Sequence, residues 1–235
     1  MYASGEVSSR TARHSRPQLV CVLADNSGSM RGPKAEAATD GIRDMMWECR
    51  TRGPSRSDRS YYELVLVQFG TSAQLAYDRV PVKEIDADQF VLRGDGGGTN
   101  ITEALEITHQ RLVQYMEELE THPERNQYPL PLVLLFSDGH NGHGHPKPVA
   151  DRIKSLRLDG CPVTIVCAGV ATKASDEPDE TLLRAIASSP ECYLRIQSAD
   201  MLSVFLAEVG SSGASSPAEV AQVIARIAHV RGLED

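Results

Sequence analysis

The sequence has no long apolar run, and its beginning lacks the features of a secretory signal. No hydrophobic stretch approaches the roughly 20 residues that a membrane-spanning helix needs. The first residues, MYASGEVSSRTARHSRPQ, contain no apolar core of the kind found in signal peptides. We therefore expect neither membrane insertion nor signal-directed secretion, and we expect a cytoplasmic location.

The chain has few cysteines, and their spacing indicates neither disulfide pairs nor a zinc site. The 5 cysteines are an odd number, and none of them forms a CxxC pair or another spacing typical of zinc sites. Cys21 and Cys167 lie inside apolar runs, where a free thiol behaves as a small hydrophobic group. These features predict reduced cysteines and no disulfide framework.

Positive charge is in deficit. The chain has 24 Lys and Arg against 32 Asp and Glu, which gives a formal net charge of -8 at pH 7. Such a balance disfavours a sequence-independent grip on nucleic acid phosphates or on anionic lipid. We therefore expect no nucleic acid and no membrane among the partners. The 235 residues fit one compact domain.

Apolar runs rich in β-branched residues alternate with helical patterns. Buried strands are predicted at 19–25, 62–70, 130–138 and 162–170, an antiparallel edge strand at 73–80, and helices at 34–50, 100–120, 148–158 and 218–230. Asn100 and Glu103 are placed for a capping box at the start of the second helix. The alternation predicts an α/β fold with a doubly wound, mostly parallel central sheet, one antiparallel edge strand and helices on both faces.

The same pattern suggests a domain division. We expect a flexible N-terminal tail over 1–16 and one domain over 17–210. The sequence GSSGASSP at 210–217 is typical of a flexible linker. We expect the residues over 211–235 to form this linker and a C-terminal helix that packs on the domain.

Polar residues form three clusters, two directly after predicted strands and one directly before a predicted helix. VCVLADNSGSM places Asp25, Ser27 and Ser29 directly after the first strand, GDGGGTN places Thr99 before a helix, and LLFSDGH places Asp138 after a central strand. In doubly wound sheets, ligands bind at the carboxyl ends of the strands. A carboxylate at the end of a buried strand needs a compensating charge, so we expect these side chains to meet around a cation.

The five side chains offer carboxylate and hydroxyl oxygens. Hard cations prefer such ligands, which suits Mg²⁺ or Mn²⁺, with Ca²⁺ also open. Because hydroxyls are neutral, a bound metal would retain positive charge for one more anion. An Asp or Glu carboxylate from a partner protein is the natural further ligand.

The order of DNSGS, GGGT and SDG resembles the DxSxS, threonine and aspartate elements of the von Willebrand factor A-type (VWA) domain, over roughly residues 17–210. The resemblance implies a complete metal-ion-dependent adhesion site formed by Asp25, Ser27, Ser29, Thr99 and Asp138. Among relatives of this domain, the intracellular bacterial tellurium-resistance (TerY) type fits the missing signal peptide best, and the chain resembles it in this respect. That narrower likeness implies a signalling or stress-response adaptor with a kinase- or phosphatase-linked partner.

A histidine-rich loop, HNGHGH, follows Asp138. His140, His143 and His145 could hold Zn²⁺ or Ni²⁺, but a glycine-rich loop fixes no ligand geometry. The plain interpretation is a solvated loop on the rim of the main site; the functional interpretation makes these histidines, with Asn100, a partner-binding rim around the metal site. We interpret the integrin-type tripeptide RGD at 93–95 as a coincidence.

The favoured function is a non-enzymatic, metal-dependent protein-binding module. The alternative is a Mg²⁺-dependent phosphotransferase or hydrolase that uses Asp25, because acidic loops at strand ends also hold metal in haloacid dehalogenase-like enzymes. Such enzymes need a second Asp two residues later, where this chain has Ser27. Neither a Walker A loop nor a GxSxG elbow is present. A metal-free scaffold is the third candidate.

Overall fold

The structure is a computed structural model that describes residues 16–51, 62–171, 177–214 and 216–230. Its strands are β1 (Gln18–Asp25), β2 (Tyr62–Phe69), β3 (Ala73–Pro81), β4 (Leu132–Ser137), β5 (Arg157–Leu158), β6 (Cys161–Pro162), β7 (Thr164–Val170) and β8 (Tyr193–Ile196). Its helices are α1 (Pro33–Thr51), α2 (Ile101–Glu120), α3 (Pro146–Ser155), α4 (Glu180–Ile186), α5 (Ala199–Gly210) and α6 (Pro217–Val230). The tail predicted over 1–16 lies, except for its last residue, outside the described residues.

In the described part of the chain, six strands form one sheet in the order β3-β2-β1-β4-β7-β8. The pairs β1–β2, β1–β4, β4–β7 and β7–β8 are parallel, whereas β3 lies antiparallel to β2 at the edge. Every residue of β1, β4 and β7 is buried, which requires helices on both faces of the sheet. The predicted doubly wound, mostly parallel fold with one antiparallel edge strand is therefore confirmed.

The predicted helix over 148–158 is wrong at its C-terminal end. α3 ends at Ser155, and β5 pairs antiparallel with β6 across Asp159 and Gly160. These two turn residues have φ of 50° and 81°. An Asp-Gly dipeptide is favoured in two-residue turns that need positive φ at both positions, so local turn chemistry ends the helix.

The segment expected to be a flexible linker is held by side chains from the amino-terminal ends of two strands. The Gln18 side-chain amide donates to the Ala214 carbonyl at 3.0 Å, and the Tyr62 hydroxyl donates to the Ser211 carbonyl at 2.9 Å. Ser211 and Ala214 are buried. The composition that indicated flexibility says nothing of these long-range contacts. α6 then packs against α5.

The start of α2 has the predicted Asn100 cap, but the Glu103 side chain does not bind the Asn100 backbone N–H as a capping box requires. The Asn100 side chain accepts a hydrogen bond from the Glu103 N–H at 3.1 Å, as a cap does. The Glu103 carboxylate instead accepts from the Asn100 side-chain amide and from the Ala73 N–H, both at 3.0 Å. It thereby connects α2 to the edge strand. Within the described part of the chain, no helix is long and apolar enough to cross a membrane.

Helices α1 and α5 approach closely where Gly41 has no side chain. A Cβ at Gly41 would lie 2.7 Å from the Cα of Ser203 and 3.0 Å from its carbonyl oxygen. We expect Gly41→Ala to lower the free energy of unfolding by about 1–2 kcal/mol. The reason is that overpacking costs about 1–3 kcal/mol, more than the gain of up to about 1 kcal/mol in helix propensity.

Thermal or denaturant unfolding measures this loss. Asp40→Ala, at an exposed position of the same helix, is the control and should change stability little. If Gly41→Ala is as stable as this control, the close approach of α1 and α5 is contradicted.

Candidate metal site

Three loops meet at the carboxyl edge of the sheet: the loop after β1, the segment before α2 and the loop after β4. Backbone hydrogen bonds join them, from Gly28 to Gly97 at 2.8 Å, from Gly96 to Asn26 at 2.8 Å and from Gly142 to Thr99 at 2.9 Å. The three polar clusters that the sequence predicted to share one edge are therefore connected to one another. Main-chain hydrogen bonds therefore connect each of these loops directly to another.

Asp25 is the last residue of β1 and is fully buried. One of its carboxylate oxygens accepts from the Ser27 N–H at 2.8 Å, and the other accepts from the Ser137 hydroxyl at 2.6 Å. Burial raises the pKa of Asp25 to about 6, the hydrogen bonds oppose this rise, and the carboxylate of Asp138 adds to it. None of the described groups acting on this pKa is cationic. The ionised carboxylate is thus stabilised by neutral donors alone among these groups.

The remaining predicted ligands differ in exposure. The Ser27 hydroxyl oxygen lies 3.0 Å from that of Ser29. Ser27, Thr99 and Asp138 are buried, whereas Ser29 is exposed. Asp138 is close enough to Asp25 to influence its pKa, and Thr99 is connected to the loop after Asp138 through its own carbonyl oxygen. The site therefore opens to solvent on the side of Ser29.

The donor set fits a hard divalent cation. It combines two carboxylates with three hydroxyls and contains no sulfur or imidazole, which is the ligand chemistry of Mg²⁺, Mn²⁺ or Ca²⁺. Among the residues that the structure describes, no group of three or more His, Cys, Asp or Glu side chains is arranged to hold a metal. A cation at this edge would therefore need the hydroxyls. The buried charge of Asp25 also fits a cation, because a positive ion would compensate it.

Two residues that the sequence reasoning did not single out support these loops. Ser137, also fully buried, binds the Asp25 carboxylate and so joins the ends of β1 and β4. The Asn26 side-chain oxygen accepts from the Gly94 N–H at 2.7 Å and thereby holds the segment before α2. Both residues stand inside the DNSGS and SDG motifs. Their position beside a predicted ligand was the available signal.

The tripeptide RGD has a local packing role. Gly94 has a φ of 63°, and a Cβ there would collide with the backbone of Arg31. Glycine is needed here because the segment before α2 crosses the loop after β1 in direct contact.

The residues of the predicted rim lie in different surroundings. The His140 ring lies 2.7 Å from a backbone carbonyl oxygen ahead of α4. His143 is exposed, and its Nε2 lies 4.0 Å from the place that a Cβ on Gly98 would take, beside the metal-site segment. His145 is exposed and directly precedes α3, and the Asn100 amide is engaged in the cap of α2. The structure thus brings His143 to the metal-site segment, while Asn100 and His140 make internal bonds.

The fold and the site together define a doubly wound α/β domain with an oxygen-lined site at the carboxyl edge of its sheet. The family model of the von Willebrand factor type A domain matches residues 20–207, most of the chain. The chain belongs to this family. VWA domains are generally metal-dependent protein-interaction modules and are typically non-enzymatic.

Several solved structures share the fold at low identity. Proximal thread matrix protein 1 from the mussel byssus has a TM-score of 0.62 at 20% identity, over 84% of this chain and 47% of that chain. A structure of the same protein with zinc in its metal-ion-dependent adhesion site (MIDAS) motif has a TM-score of 0.60 at 20% identity, over 81% of this chain and 46% of that chain. BatB from Bacteroides thetaiotaomicron has a TM-score of 0.51 at 14% identity, over 90% and 99%.

These comparisons concern the fold. The chain spans just under half the length of the mussel protein. No curated protein sequence matches it significantly. Likenesses at these identities carry information on architecture, and the chemistry of the site has to be argued from its own residues.

Removal of the Ser137 hydroxyl tests the support of Asp25. We expect Ser137→Ala to lower the free energy of unfolding by about 1–3 kcal/mol, because a buried carboxylate oxygen loses its donor. Denaturant unfolding in the absence of divalent metal is the measurement. Ser155→Ala removes an exposed hydroxyl and is the matched control. Equal stability of the two variants would show that the bond to Asp25 contributes nothing.

Proposed function

We propose that this chain is a non-enzymatic module that binds a divalent cation through Asp25, Ser27, Ser29, Thr99 and Asp138 and captures an Asp or Glu carboxylate of a partner protein. The observation that carries the proposal is the fully buried Asp25 carboxylate, which accepts hydrogen bonds from two neutral donors, the Ser27 N–H and the Ser137 hydroxyl. The cluster of hydroxyls beside it adds ligands without adding negative charge.

The residues divide the work between them. Asp25 and Asp138, both buried, supply negative charge from within the domain. Ser27, Ser29 and Thr99 supply neutral oxygens, with Ser29 at the exposed side where a partner can approach. A bound hard cation would supply Lewis acidity toward one further anionic ligand. Backbone bonds between the loops hold these groups in place before any ligand arrives.

The comparisons with known proteins also support a metal-dependent interaction module. VWA domains generally work as metal-dependent interaction modules, and the mussel relative has been solved with zinc in its MIDAS motif. For this chain we propose Mg²⁺ as the cation, with Mn²⁺ or Ca²⁺ as alternatives. We also propose one domain over 17–210, with the C-terminal segment packed on it.

The narrower assignment also remains a proposal. As the resemblance to the tellurium-resistance type implies, we propose a cytoplasmic adaptor in bacterial signalling or stress response. The partner would then belong to a complex linked to a kinase or phosphatase.

The enzymatic alternative finds less support at Asp25. A nucleophile of the haloacid dehalogenase-like pattern needs a second Asp two residues later, and this chain has Ser27 at that position. Turnover of a phosphate ester in Mg²⁺ that disappears in Asp25→Asn would favour the enzyme instead.

Metal binding is tested by thermal unfolding in EDTA and in millimolar Mg²⁺. A cation present at about 100 times its Kd stabilises the folded state by about 2.7 kcal/mol, and each kcal/mol raises the Tm of a domain of this size by about 2–4 °C. We expect Asp25→Asn to abolish this rise, while its Tm in EDTA is at least that of the wild type because a buried charge is removed.

Ser29→Ala is the second variant, since it removes an exposed hydroxyl with little risk to folding. We expect it to weaken the Mg²⁺ effect. Asp151→Asn, at an exposed position on α3, is the control. A wild-type response to Mg²⁺ in both site variants would exclude these residues as ligands.

Carboxylate capture is tested by selecting random displayed peptides on the full chain in Mg²⁺ and eluting them with EDTA. We expect the enriched peptides to share an Asp or Glu, because the open position of the site favours a carboxylate. Replacement of that residue by Asn or Gln in the synthetic peptide should abolish binding. Peptides that bind equally well in EDTA would contradict the proposed mode of binding.

A further inference from the structure

A polar cavity of about 370 Å³ lies beside the candidate metal site and is used by none of its five ligands. We call it the amide cavity. The side chains that matter for its chemistry are those of Asn26, Gln68, Ser72, Gln74 and Asp95. The backbone of Gly70 and Gly96 completes its wall.

The cavity is built by the β2–β3 hairpin and the segment before α2. Gln68 on β2 pairs with Gln74 on β3, so both side chains lie on the same face of the sheet. The Thr71 N–H donates to the Gly96 carbonyl at 2.8 Å, which fixes the hairpin turn against the segment before α2. A Cβ at Gly70 would collide with the Gly96 backbone. The wall is therefore formed by close main-chain contact and is present before a ligand binds.

The lining favours a cation. Among the described residues of the cavity, Asp95 is the one charged group, and no cationic side chain is present. A phosphate or carboxylate would meet the Asp95 charge with nothing to compensate it. A lysine ammonium or an arginine guanidinium carries several N–H donors and no acceptor, and it would meet carboxylate, amide and hydroxyl oxygens here.

The cavity and the metal site share a wall. Asn26 lies between the predicted ligands Asp25 and Ser27, and its side chain lines the cavity and donates to the Asp95 carboxylate at 3.3 Å. Gly96 stands three positions before Thr99. An extended peptide advances at most about 3.3–3.6 Å per residue, so one short segment can reach both places.

We propose that the partner segment carries a lysine or arginine within a few residues of its captured acidic residue, and that the amide cavity holds this cationic side chain against Asp95. This inference rests on the proposed function, because the acidic residue anchors the segment at the metal site. The overall charge of -8 acts in the same direction by attracting basic segments. Recognition would then require two opposite charges at a set spacing, which is more selective than a single acidic residue.

The test uses the peptides selected in Mg²⁺ on the wild-type chain. We expect a basic residue to be enriched near the acidic one. The tightest peptide is then measured against Asp95→Asn and in a version with citrulline for arginine or norleucine for lysine. Each change should weaken binding by about 2- to 5-fold, the effect of one exposed ion pair. The two changes together should cost little more than either alone.

Two controls separate recognition from damage to the loops. Asp88→Asn removes the same charge from an exposed position of the preceding segment and should leave peptide affinity unchanged. The Mg²⁺ affinity of Asp95→Asn should equal that of the wild type. The loss caused by Asp95→Asn should shrink at high salt, because screening weakens an exposed ion pair.

The failures are distinguishable. Mg²⁺-dependent peptides that share an acid but no basic residue would overturn this inference and leave the proposed function standing. The same holds if Asp95→Asn and Asp88→Asn bind the selected peptide equally well. If no selected peptide depends on Mg²⁺, the proposed function fails and this inference fails with it.

Discussion

The buried carboxylate of Asp25 is the constraint on which the rest of the site depends. It ends a fully buried strand, where a hydrophobic interior disfavours charge, and burial raises its pKa to about 6. Ser27 and Ser137 lower the cost by donating hydrogen bonds, but neutral donors leave the charge itself in place. A site that adds neutral hydroxyls around such a charge is suited to a cation. The protein thus keeps a destabilising group where a ligand can use it.

The sheet turns this local feature into a site. Parallel strands place their carboxyl ends on one edge, so residues far apart in the chain meet there. The glycines around Thr99 allow the backbone of one loop to bond directly to the next, as Gly28 does to Gly97. Such main-chain contacts need no side-chain ordering when a ligand binds, and this favours affinity and selectivity. The amide cavity uses the same construction, because Gly70 and Gly96 are in contact there.

Membership of the VWA family and the identity of the ligand are separate questions. Relatives at 14–20% identity share the architecture with this chain, although the mussel protein is more than twice as long as the region it shares. The family therefore accounts for the architecture on which the candidate metal site is built. The surroundings of that candidate site, including Asp95, the paired glutamines and His143, are features of this sequence, and the proposed choice of partner rests on them.

Much of the fold could be predicted because its causes are local. Continuous apolar runs indicate strands buried on both faces, and the position of Asp25, Ser27 and Ser29 after such a run predicts a shared edge. The end of α3 was missed because an Asp-Gly turn competes with helix pattern, and the buried segment at Ser211 and Ala214 was missed because Gln18 and Tyr62 reach it over nearly the whole chain. The sequence by itself determined which strands are buried on both faces, which residues are candidate ligands and at which edge of the sheet they lie. Only the tertiary structure decided that Ser137 holds Asp25, that Asn100 and His140 turn to internal bonds, and that an amide cavity adjoins the site, because each depends on contacts between residues that no local pattern relates.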